Sequence, residues 1–378
     1  MATVLSVLGL VLLADVVVWH RVFAVAIARP EPPRRPPARY PSITVVRPVR
    51  GLDVGAAENF RAALVTNYPG EVETLFVFDD EADPGLPVAR VVVAAHGGGA
   101  AIMFSGQPPD GRTGKLHAMI AGMRRARGEL VAFGDSDTRP SPDLLTALVD
   151  ALLAAPDVGC TFSPVVVVDP PQTVGDVGYA LMMDGLYGPG VARAAGASGR
   201  LPFIMGQLMV FRREALAAAG GLACADGQLV DDMYLGRCLH SAGYANVMIR
   251  APLAVANRGT SLRRFLAIYR RWMLFGRDGI PIRCTWPLWL RGIAAWLAIA
   301  LLVAALALGA GGAALLAAGV VVAQGESIVR LHTRFGGGRI AWHRRWFAAA
   351  LFLLAPFVVA SMAWPRVDWR GRAYALAR

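Results

Sequence analysis

The chain has 378 residues, of which 55% are hydrophobic, and its mean hydropathy is positive. This composition is too apolar for an ordinary soluble protein and leaves room for one domain together with membrane segments. The net charge of +11 comes from the C-terminal third, because residues 258–378 contain 17 Arg and three acidic residues. Since the long apolar runs lie in the same third, we expect the basic excess to face lipid headgroups and not nucleic acid.

The N-terminal residues 4–27 form an apolar stretch that is long enough to span a bilayer, and several Arg residues follow it. This pattern predicts an uncleaved transmembrane anchor at 1–28 with its C-terminal end in the cytoplasm. Residues 29–41 are rich in Pro and Arg, which indicates a semi-rigid linker between the anchor and the next domain.

Residues 42–257 alternate short β-like runs with helical ones, which predicts an α/β domain with a mostly parallel sheet covered on both faces. The predicted strands are Ile43–Val46, Val72–Phe78, Val91–Ala95, Leu130–Phe133 and Thr161–Val168. The predicted helices are Ala56–Thr66, Leu116–Arg127 and Pro142–Ala154. Neither the glycine-rich dinucleotide motif nor the P-loop motif is present, so the usual phosphate sites of α/β proteins are missing.

The C-terminal third begins with a basic region at 258–284, in which Ser261–Phe275 is predicted to form an amphipathic helix in the membrane interface. Three apolar segments follow within 285–364, and residues 365–378 form a basic tail. The tail and the loop before the last apolar segment both carry several Arg, which would place both in the cytoplasm. We therefore expect the last apolar segment, which contains Pro356, to be re-entrant or interfacial.

Three acidic clusters follow apolar runs or precede a helix, at residues 79–81, 135–137 and 231–232. In an α/β sheet, ligands bind beyond the carboxyl ends of the strands, where an Asp-x-Asp pair offers hard oxygen ligands to Mg²⁺ or Mn²⁺ on a diphosphate. Each cluster taken alone also suits a turn or a helix cap. Lys115 is the only Lys among 38 basic residues, which favours a position that requires a compact ammonium, although chance could also leave one Lys.

Together these features resemble a family 2-type glycosyltransferase of GT-A fold, and within it the ceramide glucosyltransferase group and its bacterial hopanoid-linked relatives. The segments that carry the resemblance occur in family order and cover most of the chain: Val46–Asp53, Asn67–Pro69, Asp80–Pro84, the helix of Lys115, Asp135–Asp137, Met205–Gln207, Phe211–Glu214, Gly220–Leu222, Asp231–Asp232, Arg271–Trp272 and Trp369–Arg372. The resemblance implies a Rossmann-like GT-A catalytic domain at 42–257, with N-terminal and C-terminal transmembrane helices.

The resemblance also implies roles for individual residues. Asp232 would be the catalytic base, and Asp135 and Asp137 would bind a divalent metal, Mg²⁺ or Mn²⁺, on the donor diphosphate. Arg271 and Trp272, together with Asp231, would contact the diphosphate or the acceptor. The residues implied to bind the donor nucleotide are Pro48, Asp80, Lys115, Asp135 and Gly206.

Three positions depart from the family pattern. The motif that begins at Lys115 continues with Leu116-His117-Ala118, where the family has two Asn. Ile268 replaces a Gln or Arg three residues before Arg271, and Asp231 replaces a Glu. None of these departures removes a carboxylate that the chemistry needs.

The implied activity is the inverting transfer of a hexose from a UDP-sugar to a lipid hydroxyl such as that of ceramide, since a single base without a covalent carboxylate gives inversion. The protein would be multi-pass in a bacterial inner membrane, with its catalytic domain facing the cytoplasm. The alternatives are transfer to a hopanoid or another lipid, a processive polysaccharide synthase, and an inactive sugar-nucleotide-binding membrane protein. Residues 174–191 are apolar and suit either a lipid-facing groove or a core helix.

Overall fold

The computed structural model describes residues 1–364, 366–369 and 372–375, and these residues form two compact units. The first unit comprises 1–29, 166–196 and 257–364, and the second comprises 30–165, 197–256 and the described residues from 366 onward. Parts of the predicted basic tail and of the Trp369–Arg372 motif, namely residues 365, 370, 371 and 376–378, lie outside the described residues.

The strands are β1 (Ile43–Val49), β2 (Val72–Phe78), β3 (Ala100–Phe104), β4 (Leu130–Gly134), β5 (Thr138–Arg139), β6 (Val158–Phe162), β7 (Val165–Val167), β8 (Arg200–Leu201), β9 (Leu208–Arg212), β10 (Ala245–Met248), β11 (Leu253–Val255), β12 (Arg366–Trp369) and β13 (Arg372–Ala375). The α-helices are α1 (Ala2–Ile27), α2 (Ala56–Leu64), α3 (Leu86–His96), α4 (Gly114–Arg125), α5 (Leu144–Leu153), α6 (Val174–Ala180), α7 (Gly188–Ala195), α8 (Arg213–Ala218), α9 (Asp231–Ser241), α10 (Leu262–Gly279), α11 (Ile282–Ala307), α12 (Gly311–Phe335) and α13 (Phe347–Ser361). A π-helical segment, Leu181–Tyr187, joins α6 to α7.

The largest sheet lies in the second unit and has eight strands in the order β3-β2-β1-β4-β9-β6-β10-β8. Strand β1 pairs in parallel with β2 and β4, so that Val49 lies opposite Phe78 and Val46 lies opposite Phe133. Strands β2 and β3 are also parallel, as are β6 and β10, whereas β9 runs antiparallel between β4 and β6. Because β1, β2 and β4 run in one direction, the residues that follow them lie at the same edge of the sheet.

Helices cover both faces of this sheet. Side chains alternate across a strand, so Val49 and Val46 point to opposite faces of β1. One face packs against α2 and α3 in a cluster of buried apolar residues: Val49, Ala56, Phe60, Leu64, Phe76, Phe78, Leu86, Ala89 and Val92. On the other face Gly122 of α4 lies so close to Val46 that a larger residue would clash with it.

The prediction of a strand at Val91–Ala95 is wrong, because these residues are the second half of α3. A short apolar run does not distinguish a strand from a helix, and Pro87 at the start of α3 suits the first turn of a helix. The third strand is instead β3, directly after a run of three glycines. The predicted strand Thr161–Val168 is divided into β6 and β7, which flank Ser163-Pro164.

The first unit contains the four described helical segments that are long and apolar enough to cross a membrane: Ala2–Ile27, Ile282–Ala307, Gly311–Phe335 and Trp342–Ser361. Helices α1, α11 and α12 pack together through Val16, Ala298 and Val320. The segment 174–195 is buried in the same unit, where Gly185 of its π-helical part lies against Ile328 of α12.

Asp176 connects α6 to the segment that leads into α10, and its side chain is almost completely buried. It forms a capping box with Thr173 and accepts hydrogen bonds from the backbone N–H groups of Gln172, Gly259 and Thr260 at 2.7–3.1 Å. Burial opposes ionisation, but the backbone donors outweigh it and lower the pKa of the Asp176 carboxyl. The Asp176 carboxylate therefore supplies the hydrogen-bond acceptors that these backbone N–H groups would otherwise lack.

We expect Asp176→Asn to destabilise the protein by about 3 kcal/mol, because an amide nitrogen would face N–H groups that need an acceptor. The measurement is the unfolding temperature of the purified protein in detergent. The matched control is Asp278→Asn, which removes an exposed ion pair with Arg277 and should cost about 0–1 kcal/mol. Equal unfolding temperatures for the two variants would contradict the assigned role of Asp176.

Candidate active site

The sheet edge beyond β1, β2 and β4 carries two of the predicted acidic clusters. Asp79 and Asp80 directly follow β2, and Asp135 directly follows β4. The parallel register of these strands brings both clusters to one edge of the second unit. This is the part of an α/β sheet where ligands bind.

Lys115 lies in the first turn of α4 and connects three parts of this edge. Its Nζ lies 2.7 Å from Asp135 Oδ1 and donates a hydrogen bond to the carbonyl oxygen of Gly206 at 3.0 Å. The side chain is only 13% exposed. Burial disfavours its charged form, but the negative charges of Asp135, Asp231 and Asp232 outweigh this effect and raise the pKa of Lys115. The ammonium is therefore charged at physiological pH.

Asp232 lies in the first turn of α9, where the helix dipole and free N–H groups favour a negative charge. Its Oδ2 accepts the N–H of Gly206 at 2.6 Å, and its Oδ1 accepts the N–H of Met233 at 2.8 Å. A Cβ at position 206 would clash with this carboxylate, so the contact requires glycine. Burial raises the pKa of Asp232 to about 6, against the lowering effect of Lys115. A carboxylate with this pKa can accept a proton near neutral pH.

Asp231 is buried beside Asp232 and is held by two hydrogen bonds. Its Oδ2 accepts the hydroxyl of Thr113 at 2.9 Å, and its Oδ1 accepts the N–H of Asp232 at 2.8 Å. Thr113 is also the N-cap of α4, because its Oγ1 accepts the N–H of Leu116. One threonine thus connects the start of the lysine helix to the start of the helix that carries Asp232.

The backbone of the Asp135–Asp137 turn rests on Arg47, whose side chain is almost completely buried in β1. The Arg47 guanidinium donates hydrogen bonds to the carbonyl oxygen of Asp135 at 2.8 Å and to Oγ1 of Thr138 at 3.2 Å. Burial lowers the pKa of Arg47 to about 10, so it stays charged at neutral pH. The turn therefore has a buried cation beneath it.

Among the described residues, no group of three or more His, Cys, Asp or Glu side chains is placed to hold a metal ion. Asp135 and Asp137 supply carboxylates from one turn, and protein sites for Mg²⁺ commonly use one or two carboxylates together with substrate phosphates. This donor set fits a divalent ion that is shared with a diphosphate. It does not fit a metal that the protein alone encloses.

Two other predicted donor residues lie at the same edge. Pro48 is half-buried in β1, with Val77 as its register partner. Asp80 is exposed, and its carboxylate accepts the N–H of Ala82 at 2.9 Å and the side-chain amide of Gln107 at 3.1 Å. Both oxygens of Asp80 therefore have fixed directions.

Arg271 and Trp272 belong to the first unit, on α10. Trp272 is buried, and its ring centroid lies 5.4 Å from that of Tyr187. The Arg271 guanidinium lies 6.0 Å from the ring centroid of Phe275. The predicted site residues of the second unit that contact one another are thus Lys115 with Asp135 and Gly206, Gly206 with Asp232, and the neighbours Asp231 and Asp232.

Sequence reasoning missed three residues that position the site: Arg47, Gln107 and Thr113. A charged residue inside the apolar strand β1 is the signal that could have identified Arg47, since a buried Arg needs partners. Thr113 directly precedes Gly114-Lys115 and has the N-cap signature of a helix start. Gln107 lies in a loop with no regular pattern, and its role depends on the fold alone.

The fold has relatives among solved structures. The mannosyltransferase PcManGT from Pyrobaculum calidifontis, solved in complex with GDP-Man and Mn²⁺, superposes with a TM-score of 0.54 at 21% sequence identity. The superposition covers 92% of this chain and 98% of that one. The chain therefore contains the GT-A fold, and the predicted fold class is confirmed.

Two curated relatives are Ceramide glucosyltransferase 3 and Ceramide glucosyltransferase 1 of Caenorhabditis elegans. They are 23% identical to this chain over 236 and 242 residues, respectively. The matched regions are 62% and 63% of this chain and 50% of each relative, so the chain spans about half the length of these proteins. The profile described as Glycosyl transferase family 21 matches residues 2–378, and the chain belongs to this family.

Family membership confirms the resemblance that the sequence motifs carried. The four described helices that are long and apolar enough to cross a membrane support a membrane protein.

The raised pKa of Asp232 generates a pH prediction. To act as the base that the resemblance implies, Asp232 must be ionised, so we expect activity above pH 6 and a fall in activity as the pH decreases through about 6. Because Lys115 lowers the pKa of Asp232, Lys115→Met should move this acid limb of kcat/KM upward by about one pH unit. Lys115→Arg keeps the charge and should leave the limb near its original position, even if the rate falls. If the acid limb of kcat/KM does not move in Lys115→Met, the effect of Lys115 on the pKa of Asp232 is contradicted.

Proposed function

We propose that the protein is an inverting glycosyltransferase that transfers a hexose from a UDP-sugar to a lipid hydroxyl, with ceramide as the acceptor. The observation that carries this proposal is the contact of Lys115 with Asp135 on one side and with Gly206 on the other, since Gly206 in turn donates to Asp232. Lys115 thus contacts Asp135, which can face a diphosphate. Through Gly206 it is also linked to Asp232, which can accept a proton.

The donor would lie along the edge beyond β1, β2 and β4. Asp80 and Pro48 would contact the nucleoside, and Gly206 and Lys115 would lie beside the phosphates. The leaving diphosphate gains negative charge as the anomeric bond breaks. A fixed ammonium therefore stabilises the transition state more than the bound substrate.

Asp135 and Asp137 would hold a divalent ion, Mg²⁺ or Mn²⁺, that is shared with the diphosphate. The ion would supply positive charge to the leaving group. The roles of the chain itself are to fix the two carboxylates on one turn and to keep that turn in place through Arg47.

Asp232 would be the catalytic base. A lipid hydroxyl is a poor nucleophile, so a carboxylate must accept its proton as the oxygen attacks the anomeric carbon. The hydrogen bonds from Gly206 and Met233 fix the orientation of the carboxylate, and burial brings its pKa to about 6. Attack opposite to the leaving diphosphate inverts the anomeric configuration.

The names of the curated relatives and the membrane helices support a lipid acceptor. Arg271 and Trp272, together with Asp231, would contact the diphosphate or the acceptor. The Arg-rich segments of the C-terminal third support a cytoplasmic catalytic domain, which in a bacterium would lie at the inner membrane. The domain limits given above, from the anchor at 1–28 to the tail at 365–378, belong to the same proposal.

The direct test is to incubate the purified protein with UDP-sugars and Mn²⁺ in the presence of ceramide, hopanoid and total membrane lipid, and to search for a hexose mass addition by mass spectrometry. We expect a product from ceramide and a UDP-hexose. Asp232→Asn should lower the rate by about 10²–10⁴-fold while UDP binding persists, because it removes only the proton acceptor. A product from hopanoid alone would refute ceramide as the acceptor. Near-normal turnover of Asp232→Asn would refute the role of Asp232 as the base.

Replacement of Asp135 tests the proposed metal. We expect Asp135→Ala to weaken UDP binding in Mn²⁺ by at least about tenfold and to leave the weaker binding in EDTA nearly unchanged, because one metal ligand is lost. Calorimetry with and without Mn²⁺ measures both values. Asp143→Ala, which removes an exposed carboxylate nearby in the chain, is the control and should bind as the wild type does. Equal loss in both conditions would show that Asp135 does not act through a metal.

A further inference from the structure

The hairpin formed by β12 and β13 lies at the end of the chain, yet it belongs to the second unit. Its Arg372 is 18% exposed, and its Nη2 donates hydrogen bonds to Asp79 Oδ2 at 3.1 Å and to Gln107 Oε1 at 2.6 Å. The hydroxyl of Tyr374, in the same strand, accepts the N–H of Gly114 at 3.5 Å. The hairpin thus contacts the start of the lysine helix and the residue that precedes Asp80.

Arg372 reaches Asp80 through a single intermediate. Gln107 accepts from Arg372 with its side-chain oxygen and donates to Asp80 Oδ2 with its side-chain nitrogen. This pattern fixes the amide orientation of Gln107, because the oxygen faces a donor and the nitrogen faces an acceptor. The direction of the Asp80 carboxylate therefore depends on Arg372, although the two side chains are 292 positions apart in the sequence.

Asp79 reinforces the same arrangement. Its side chain is only 8% exposed, and it pairs with both Arg50 and Arg372. A buried carboxylate with two guanidinium partners holds both of them firmly, because the removal of one partner would leave part of the negative charge of Asp79 uncompensated in a poorly solvated position. Gln107 also lies in a loop that is held at Ser105, whose carbonyl oxygen accepts the Nε2–H of His117 at 3.0 Å. The hairpin therefore attaches to a loop that is otherwise fixed near one end.

We propose that Arg372 is a positioning residue for the donor nucleotide: it orients Gln107 and, through it, the carboxylate of Asp80, so that the C-terminal hairpin completes the nucleoside end of the donor site. This inference rests on the proposed role of Asp80. Arg372 acts on ground-state binding of the nucleotide, because its contacts lie at the nucleoside end and the proposed proton transfer occurs at Asp232.

The test uses the full-length protein in detergent, with UDP and Mn²⁺ as the binding probe. We expect Arg372→Ala to raise the Kd for UDP and the KM for the donor by about tenfold, while kcat at saturating donor changes by less than about twofold. Arg366→Ala is the matched control, because Arg366 is an exposed Arg of the same hairpin; it should leave both constants unchanged. A merely structural role of Arg372 would lower the fraction of active protein and would not separate KM from kcat.

Gln107→Glu is a second variant that keeps the hairpin in place. The new carboxylate can still accept from Arg372, but it cannot donate to Asp80 and repels it, so UDP binding should weaken by at least about fivefold. Wild-type UDP affinity in Gln107→Glu, or in Arg372→Ala, would overturn the inference and leave the proposed function intact. Failure of the wild-type protein to bind UDP would overturn the proposed function and the inference with it.

Discussion

The candidate site depends on one interaction, the contact of the Lys115 ammonium with Asp135 and with the carbonyl oxygen of Gly206. Carboxylates that lie close together in a partly buried edge repel one another and resist ionisation. Lys115 lowers the pKa of both Asp231 and Asp232, which burial raises. A cation at this position is therefore what allows an acidic turn and an acidic helix start to lie side by side.

The elements that meet at Lys115 come from distant parts of the chain. Helix α4 brings the lysine, β4 brings Asp135, and α9 brings Asp232. Gly206 lies between them, accepting a hydrogen bond from Lys115 and donating one to Asp232. Because a Cβ at this residue would clash with the Asp232 carboxylate, the backbone itself serves as the link. The site is thus built from charged side chains around the backbone N–H and C=O groups of a single residue, Gly206.

Much of this arrangement could be predicted from the sequence, because strand ends in a parallel sheet share an edge. The apolar runs that end at Asp79 and Asp135 therefore predicted that these two acidic clusters lie at one edge of the sheet, as they do in the structure. The error at Val91–Ala95 has a local cause, since five apolar residues carry no distinguishable period. The antiparallel strand β9 could not be predicted either, because strand order depends on pairing between distant segments.

The positioning residues were beyond sequence reasoning for a different reason. Gln107 is an ordinary polar residue in a loop, and Thr113 could be predicted only as a helix N-cap. Their partners, Asp80 and Asp231, are 27 and 118 positions away in the sequence. Such hydrogen bonds exist only once the sheet has formed. Arg47 is the exception, because a charge within an apolar strand must be satisfied by some partner. The nature of that partner, a backbone carbonyl beneath the acidic turn, still required the fold.

The balance of charge gives a further physical reason for the proposed reaction scheme. Asp135, Asp137, Asp231 and Asp232 are influenced by two nearby cations, Lys115 and Arg47. A nucleotide diphosphate would add more negative charge to an edge that already has an excess, and close like charges in a medium of reduced dielectric repel strongly. An additional cation at this edge would therefore favour binding of the proposed donor. The two carboxylates of the Asp135–Asp137 turn are the oxygen ligands on which such an ion, shared with the diphosphate, would be held.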